Sequence, residues 1–376
     1  MTSLYLHLPF CYRWCSYCAF YSEEFPFWKN KRESYVRRME AEILDAGKRH
    51  GAFETVFLGG GNPLCLEPSQ LETLLSAAGR SSETTIEMNP ESLQDSYRCL
   101  FSSSLVNRIS MGIQSMNPHL LSVLGRNCDR EGNIRGIRKA MELKEAFGTQ
   151  VNFDLITCIP GQTVDDAKKD IDDILSISNP DHLSLYCLTL EKHTCLAQKV
   201  RSGVYHMIDD AGQAKMLFSL WEYLQKNGFT HYEISNFAKD GHYCKHNLRY
   251  WRLEQYLGLG CHAASRLRTQ DGFEEIENTQ SLASYANGAM GSGYSFHILT
   301  AEQEMEEYLI TNFRTCWGVS KQEFQERFKK SFDVLFKKAI CETPLRWIRK
   351  NDAYFALSEE GMMVLDTVIL NFCMCF

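Results

Sequence analysis

Apolar and polar positions follow two rhythms along the first half of the chain. Short runs rich in apolar and β-branched residues at 4–8, 55–58, 84–88, 106–114, 151–156 and 182–188 have the length of buried strands. Between them, 34–50, 69–78, 133–147 and 164–178 place apolar residues at helical spacing. This alternation predicts a parallel sheet joined by crossover helices. Six strands by about residue 190 suit an open or partial barrel better than a short doubly wound sheet. Beyond that point the pattern turns helical, most clearly over 209–226. The polar, Gly-containing stretch 272–293 reads as a linker or loop and sets off 300–376 as a small C-terminal domain. Within that domain 321–338 is amphipathic with charges of both signs, and 347–357 suits a small β-wing. The expected class is therefore α/β: a partial (β/α)6 barrel followed by a small helical, winged-helix-like domain. The expected division is 1–235 for the barrel, 236–299 for a flanking segment and 300–376 for the tail.

Composition narrows the function classes. The 376 residues are 44% hydrophobic and 23% charged, enough for a sizeable core. A net charge of −7 gives no global pull toward nucleic acid or anionic membrane, so neither is an expected partner. The apolar start lacks the basic first region of a signal peptide. The longest apolar run, 362–376, is broken by Asp366 and Asn371 and is too short to span a bilayer. Fifteen cysteines, an odd number in a long chain, argue against a disulfide framework. A reducing cytoplasm is the expected compartment.

Three of those cysteines crowd the first eighteen residues. Cys11, Cys15 and Cys18 follow the first strand with the spacing C-x3-C-x2-C. Thiolates this close can hold an iron–sulfur cluster or zinc. Structural zinc closes with four ligands, and no neighbouring Cys or His is an obvious fourth. Three thiolates on a four-iron cluster leave one iron open to a small molecule. Buried core cysteines are the plainer alternative.

The spacing resembles that of the radical S-adenosylmethionine (SAM) enzymes. The longer stretch Tyr5-Leu6-His7-Leu8-Pro9-Phe10-Cys11, continuing to Cys18-Ala19-Phe20, resembles the coproporphyrinogen III oxidase-like branch, and within it the heme chaperones. The resemblance runs over nearly the whole chain. It implies a radical SAM barrel with a [4Fe-4S] cluster on Cys11, Cys15 and Cys18, and SAM bound at the open iron by its amino and carboxylate groups. Tyr5 and Tyr17 fall at cofactor positions of that family. Gly60, Gly61 and Asn62, in Gly59-Gly60-Gly61-Asn62-Pro63, match the place where such proteins hold the methionine part of SAM; the family usually has Thr at the position of Asn62. Glu87 would accept bonds from ribose hydroxyls, and Gln114, Arg126 and Asp154 match further positions lining the cofactor. Alone, each has a plainer role: a solvated carboxylate, a surface ion pair for Arg126, a cap for Asp154. The family pattern has Gly where Cys158 stands.

A second motif, His246-Asn247-Leu248-Arg249-Tyr250-Trp251, has the form H-N-x-x-Y-W found in heme chaperones. A helix would put His246 with Tyr250, and Asn247 with Trp251. Histidine ligates heme iron and aromatic rings pack on porphyrins, so His246, Asn247, Tyr250 and Trp251 are the heme candidates. A structural histidine beside aromatics is the plainer reading. By resemblance the expected function is a heme chaperone passing heme to acceptor proteins, with an electron donor needed if SAM is cleaved; a homodimer is compatible with it. The alternative is an oxygen-independent coproporphyrinogen III oxidase. Two features point away from it: Phe20 stands where the oxidase has a cysteine, and Cys11 comes almost at the start, where the oxidase carries an extension. A zinc-binding structural module is a third reading.

Overall fold

The computed structural model describes residues 1–269, 272–288 and 293–376. Six parallel strands form its centre: β1 (Ser3–Leu8), β2 (Thr55–Gly60), β3 (Glu83–Met88), β4 (Arg108–Gln114), β5 (Gln150–Thr157) and β6 (His182–Cys187), hydrogen-bonded in that order. The crossovers are carried by α1 (Arg32–His50), α2 (Pro68–Ala78), α3 (Arg130–Phe147) and α4 (Val164–Ile177), and α5 (Asp210–Lys226) follows β6. This is the expected partial barrel, and the helix and strand assignments from periodicity fall within a few residues of these bounds.

Side-chain alternation explains the curvature of function across the sheet. Leu4, Leu6 and Leu8 are buried with Tyr35, Met39 and Ile43 of α1 in one core. The residues between them, Ser3, Tyr5 and His7, face the inside of the barrel, as the period of two requires. The same alternation lines that inside with Ser110, Asn152, His182 and Ser184. Asn152 donates to Ser110 Oγ at 2.7 Å, and His182 Nδ1 bonds to Asn152 Oδ1 at 2.7 Å. A buried polar interior is costly unless its groups are paired, and these are. The helices are started by side chains: Asp129 accepts from Gly132 N–H at 2.7 Å, and Thr163 and Asp166 form a reciprocal cap on α4. Each such cap is worth about 1 kcal/mol.

The stretch 272–293 is not a linker. Phe273–Asn278 is a strand paired antiparallel with Ala264–Arg268 and with Tyr294–Ile298, and Leu282–Ala286 is helical; 289–292 lie outside the described residues. These strands continue the sheet beyond Tyr256–Leu259, which pairs parallel with β1. Their polarity reflects an edge with a solvated face, where backbone pairing rather than burial defines the strand. On the other side, Asn236–Ala238 and Thr230–Glu233 extend β6 antiparallel.

The tail has a three-stranded sheet, with Tyr354–Leu357 between Val319–Ser320 and Ile348–Lys350. The amphipathic stretch 321–338 is broken: the helix Lys321–Phe328 stops because Lys329 adopts a left-handed conformation (φ 55°), and two short helices follow. Barrel and tail are joined at Glu233, whose fully buried side chain accepts from Arg314 Nε at 3.1 Å. Arg314 also lies 4.1 Å above the Trp251 ring. No helix among the described residues is long and apolar enough to cross a membrane.

Candidate functional site

The cysteine loop leaves the end of β1 and is fastened at several points. Phe10 and Cys11 pair with Glu23 and Glu24 in a short parallel ladder, so the two ends of the loop lie side by side. Trp28 Nε1 and Phe25 N–H both donate to Cys11 O at 2.9 Å. In mid-loop, Ser16 N–H donates to Leu124 O, and Leu196 N–H to Ser16 O, each at 2.8 Å. Gly125 (φ 68°) permits this approach, since a Cβ there would lie 2.2 Å from Ser16 Oγ. Cys11, Cys15 and Cys18 are all half-buried and unpaired. Burial pushes the Cys11 thiol up to about 11 and raises Cys18 as well. Thiolates here need positive charge beside them, and Arg126 supplies some by donating from Nη1 to Cys15 Sγ at 3.4 Å. Among the described residues no three His, Cys, Asp or Glu side chains close around a single ion. Thiolates on different irons of one cluster stand further apart than ligands of one ion.

The ends of the next four strands face this loop. At Gly60 (φ 107°) a Cβ would lie 2.6 Å from the His7 ring, and at Gly61 2.5 Å from Phe10 O. No larger residue leaves this cradle intact. Glu87 Oε2 accepts from Gly60 N–H at 3.4 Å; burial, and then Asp154, push its carboxyl up to about 8. Gln114 ends β4 in the left-handed region (φ 67°), where the register against β5 slips, and its buried Oε1 has no partner. Arg126 Nη2 donates to Gly112 O at 2.8 Å and Asn89 Oδ1 at 3.0 Å, while its buried Nε is unpartnered. Asp154 is held by Ser110 Oγ at 2.9 Å and Asn152 Nδ2 at 2.8 Å. Tyr5 hydroxyl meets His7 Nδ1 at 3.1 Å, and Tyr17 packs with Ile156, Ile159 and Leu188. Asn62 is turned away: its Nδ2 donates to Ser92 Oγ and its Oδ1 accepts from Leu64 N–H. Its side chain fixes the turn after the glycines.

Comparison with known proteins bears on this arrangement. Residues 5–174 match the model of the radical SAM superfamily, and 299–364 match the HemN C-terminal domain. The heme chaperone HemW of Lactococcus lactis is 32% identical, over 98% of this chain and 97% of its own. The chain belongs to the radical SAM family. Within it, it falls with the heme-chaperone branch. The mitochondrial radical SAM domain-containing protein 1 of Bos taurus is 33% identical, over 98% of this chain and 86% of its own. The coproporphyrinogen III oxidase HemN of Escherichia coli shares the fold, with a TM-score of 0.81 at 20% identity over 100% of this chain and 89% of that one.

Membership of the radical SAM family implies a [4Fe-4S] cluster and SAM. Three observations fit those groups: three unpaired sulfurs beside a buried guanidinium, a glycine cradle with no room for a Cβ, and unpartnered buried atoms on Gln114 and Arg126 aimed at the same end of the barrel. Motif reading of the radical SAM pattern missed His7, Asn89 and Ser110, which orient Tyr5, Arg126 and Asp154. The alternation along β1 and β4 was the available signal for His7 and Ser110.

The second motif lies at the opposite end of the radical SAM barrel. The helix α6 (Lys245–Trp251) covers the starts of β2 and β3: Glu83 accepts from the N–H groups of Lys245 and His246, each at 2.9 Å. His246 is fully enclosed, with Nδ1 at 2.7 Å from Thr55 Oγ1 and Nε2 at 2.9 Å from Tyr250 hydroxyl. Thr55 and Gly60 bound one strand, so roughly 16 Å of β2 separates this end from the glycine cradle. Asn247 and Trp251 take the other side of the helix, where Trp251 meets Arg314.

Proposed function

We propose that this chain is a heme chaperone, which binds heme and transfers it to acceptor proteins from a radical SAM scaffold. End-to-end similarity to heme chaperones carries the reading. Phe20, 76% exposed two residues after Cys18, supports it, since an exposed phenyl ring offers neither the thiol nor the acid–base chemistry of a cysteine. In this reading Cys11, Cys15 and Cys18 hold the cluster. Gly60, Gly61 and Arg126 take the methionine end of SAM, and Glu87, Gln114 and Asp154, with Tyr5 and Tyr17 around them, take the nucleoside. Cluster and SAM supply one-electron chemistry when reduced. The chain's own residues bind, orient and keep water out. Heme is assigned to His246, Asn247, Tyr250 and Trp251, and ligation through His246 Nε2 requires Tyr250 hydroxyl to release it.

Heme titration of anaerobic, cluster-loaded protein tests the proposal. A saturable Soret band, and transfer of that heme to an apo-acceptor, are expected. No Soret band, with protoporphyrinogen formed from coproporphyrinogen, SAM and a reductant, would favour the oxidase instead.

A further inference from the structure

Two further cysteines meet where β5 and β6 end. Cys187 is the last residue of β6, and its register partner on β5 is Thr157, so Cys158 is one step further along the neighbouring strand. Leu183, Leu185 and Cys187 alternate with the inward His182, Ser184 and Tyr186, which puts Cys187 on the side covered by α5. Strict alternation along β5 would send Cys158 inward with Asp154 and Ile156. It does not follow. Cys158 adopts φ 61°, in the left-handed region, and its sulfur turns under α5, 3.9 Å from Met216 Sδ. Cys187 donates to Gln213 Oε1 of the same helix at 3.5 Å, so both thiols lie beneath α5.

Adjacent strands ~4.8 Å apart and a rise of ~3.3 Å per residue put the two Cα atoms on the order of 6 Å apart. Disulfides span ~4.4–6.8 Å. A non-glycine residue in the left-handed region costs about 1 kcal/mol or more. The fold carries that cost at the one position that brings the second sulfur to the first.

We propose that Cys158 and Cys187 are a dithiol site for thiol–disulfide exchange with a small disulfide such as oxidised glutathione. Cys187 is half-buried and Cys158 fully buried, which divides the roles. Cys187, the more accessible sulfur, attacks. Its thiolate bonds to one sulfur of the disulfide, the S–S bond breaks, and one thiolate leaves. Cys158 then attacks Cys187 Sγ, giving up its proton as it does so, and expels the second as a thiol. The pair loses two protons and two electrons, and the small disulfide becomes two thiols. The new bond staples β5 to β6 beneath α5.

The test uses full-length, cluster-loaded protein, incubated anaerobically with oxidised glutathione, alkylated and digested for mass spectrometry. A peptide pair crosslinked through Cys158 and Cys187, and released by dithiothreitol, is expected. In Cys158→Ser the crosslink is lost and a glutathione adduct stays on Cys187. Cys158→Gly should behave alike, and it fits φ 61° without strain, so loss of folding cannot imitate the result. Two freely alkylated cysteines in the wild type, or the same lasting adduct in wild type and Cys158→Gly, would overturn the proposal.

Discussion

The hydroxyl of Tyr250 and Nε2 of His246 lie 2.9 Å apart, one helical turn from each other and enclosed against the start of β2. Together with Thr55 on Nδ1, both ring nitrogens of the motif histidine are engaged. The residue assigned to heme thus also fastens α6 to the start of β2.

His246→Ala should therefore cost roughly 2–4 kcal/mol in urea unfolding, since it leaves a cavity and strands the Tyr250 hydroxyl, while Thr55 keeps its bond to Ser3 Oγ. Tyr250→Phe should cost about 1 kcal/mol and leave Nε2 free. Heme titration should show binding weakened in the first variant and retained in the second. If His246→Ala proves as stable as the wild type, the described hydrogen bonding has been misread.

Burial holds His246 down at about 3 and His7 at about 4, and it lowers His182 as well. The unfolded chain takes up these protons near pH 6.5 and the folded chain does not. Stability is thus intact above that pH and declines as pH falls toward the folded values, by up to ~1.4 kcal/mol per pH unit for each histidine. Glu87 and Asp170, raised to about 8 and about 6, act in the opposite sense. The clean measurement is a difference: between pH 6.5 and pH 4, His246→Gln should lose less stability than the wild type. Parallel pH profiles would reject it.

Gly61→Ala drives a methyl group against the Phe10 carbonyl, next to Cys11, proposed as a cluster ligand. Backbone cannot move aside as a side-chain tip can. Reconstituted protein should hold less iron and bind SAM more weakly, read by iron assay and equilibrium dialysis. Gly79→Ala offers a control for general backbone strain, because its φ is 77° but nothing lies near its added methyl.

Arg126 reaches Cys15 Sγ, Asn89 and Gly112 O at once, a spread that a planar fork makes and a single ammonium does not. Arg126→Lys should keep the charge near Cys15 while losing the orientation. We expect near-normal iron content with SAM binding reduced about tenfold, roughly 1.4 kcal/mol, and Arg126→Ala should lower both. Equal SAM affinity in Arg126→Lys and wild type would assign this residue to charge alone.

Much of this was legible before any coordinates. The strands β1 to β6 announce themselves because apolar runs between helical periods have few other solutions, and Cys11, Cys15 and Cys18 because local spacing survives folding unchanged. Phe273–Asn278 did not, because a strand near the sheet's solvated margin buries too little to leave an apolar signature. The break at Lys329 was hidden for another reason: a left-handed lysine carries no compositional mark. That Asn62 faces Ser92, and His246 Thr55, depends on partners 30 and 191 positions away, beyond any local pattern.

Glu233 has no exposed side-chain surface, and its cation comes from Arg314, inside the region that matches the C-terminal domain. Removing one partner of a buried pair costs about 3–5 kcal/mol. A chain cut near residue 299 would keep every residue proposed for cluster and cofactor, yet leave the Glu233 carboxylate without its cation, held only by Asn236 and the Ser235 N–H. The family boundary visible in sequence comparison thus leaves one half of a buried ion pair on each side, and a graft of the barrel alone would first have to neutralise position 233.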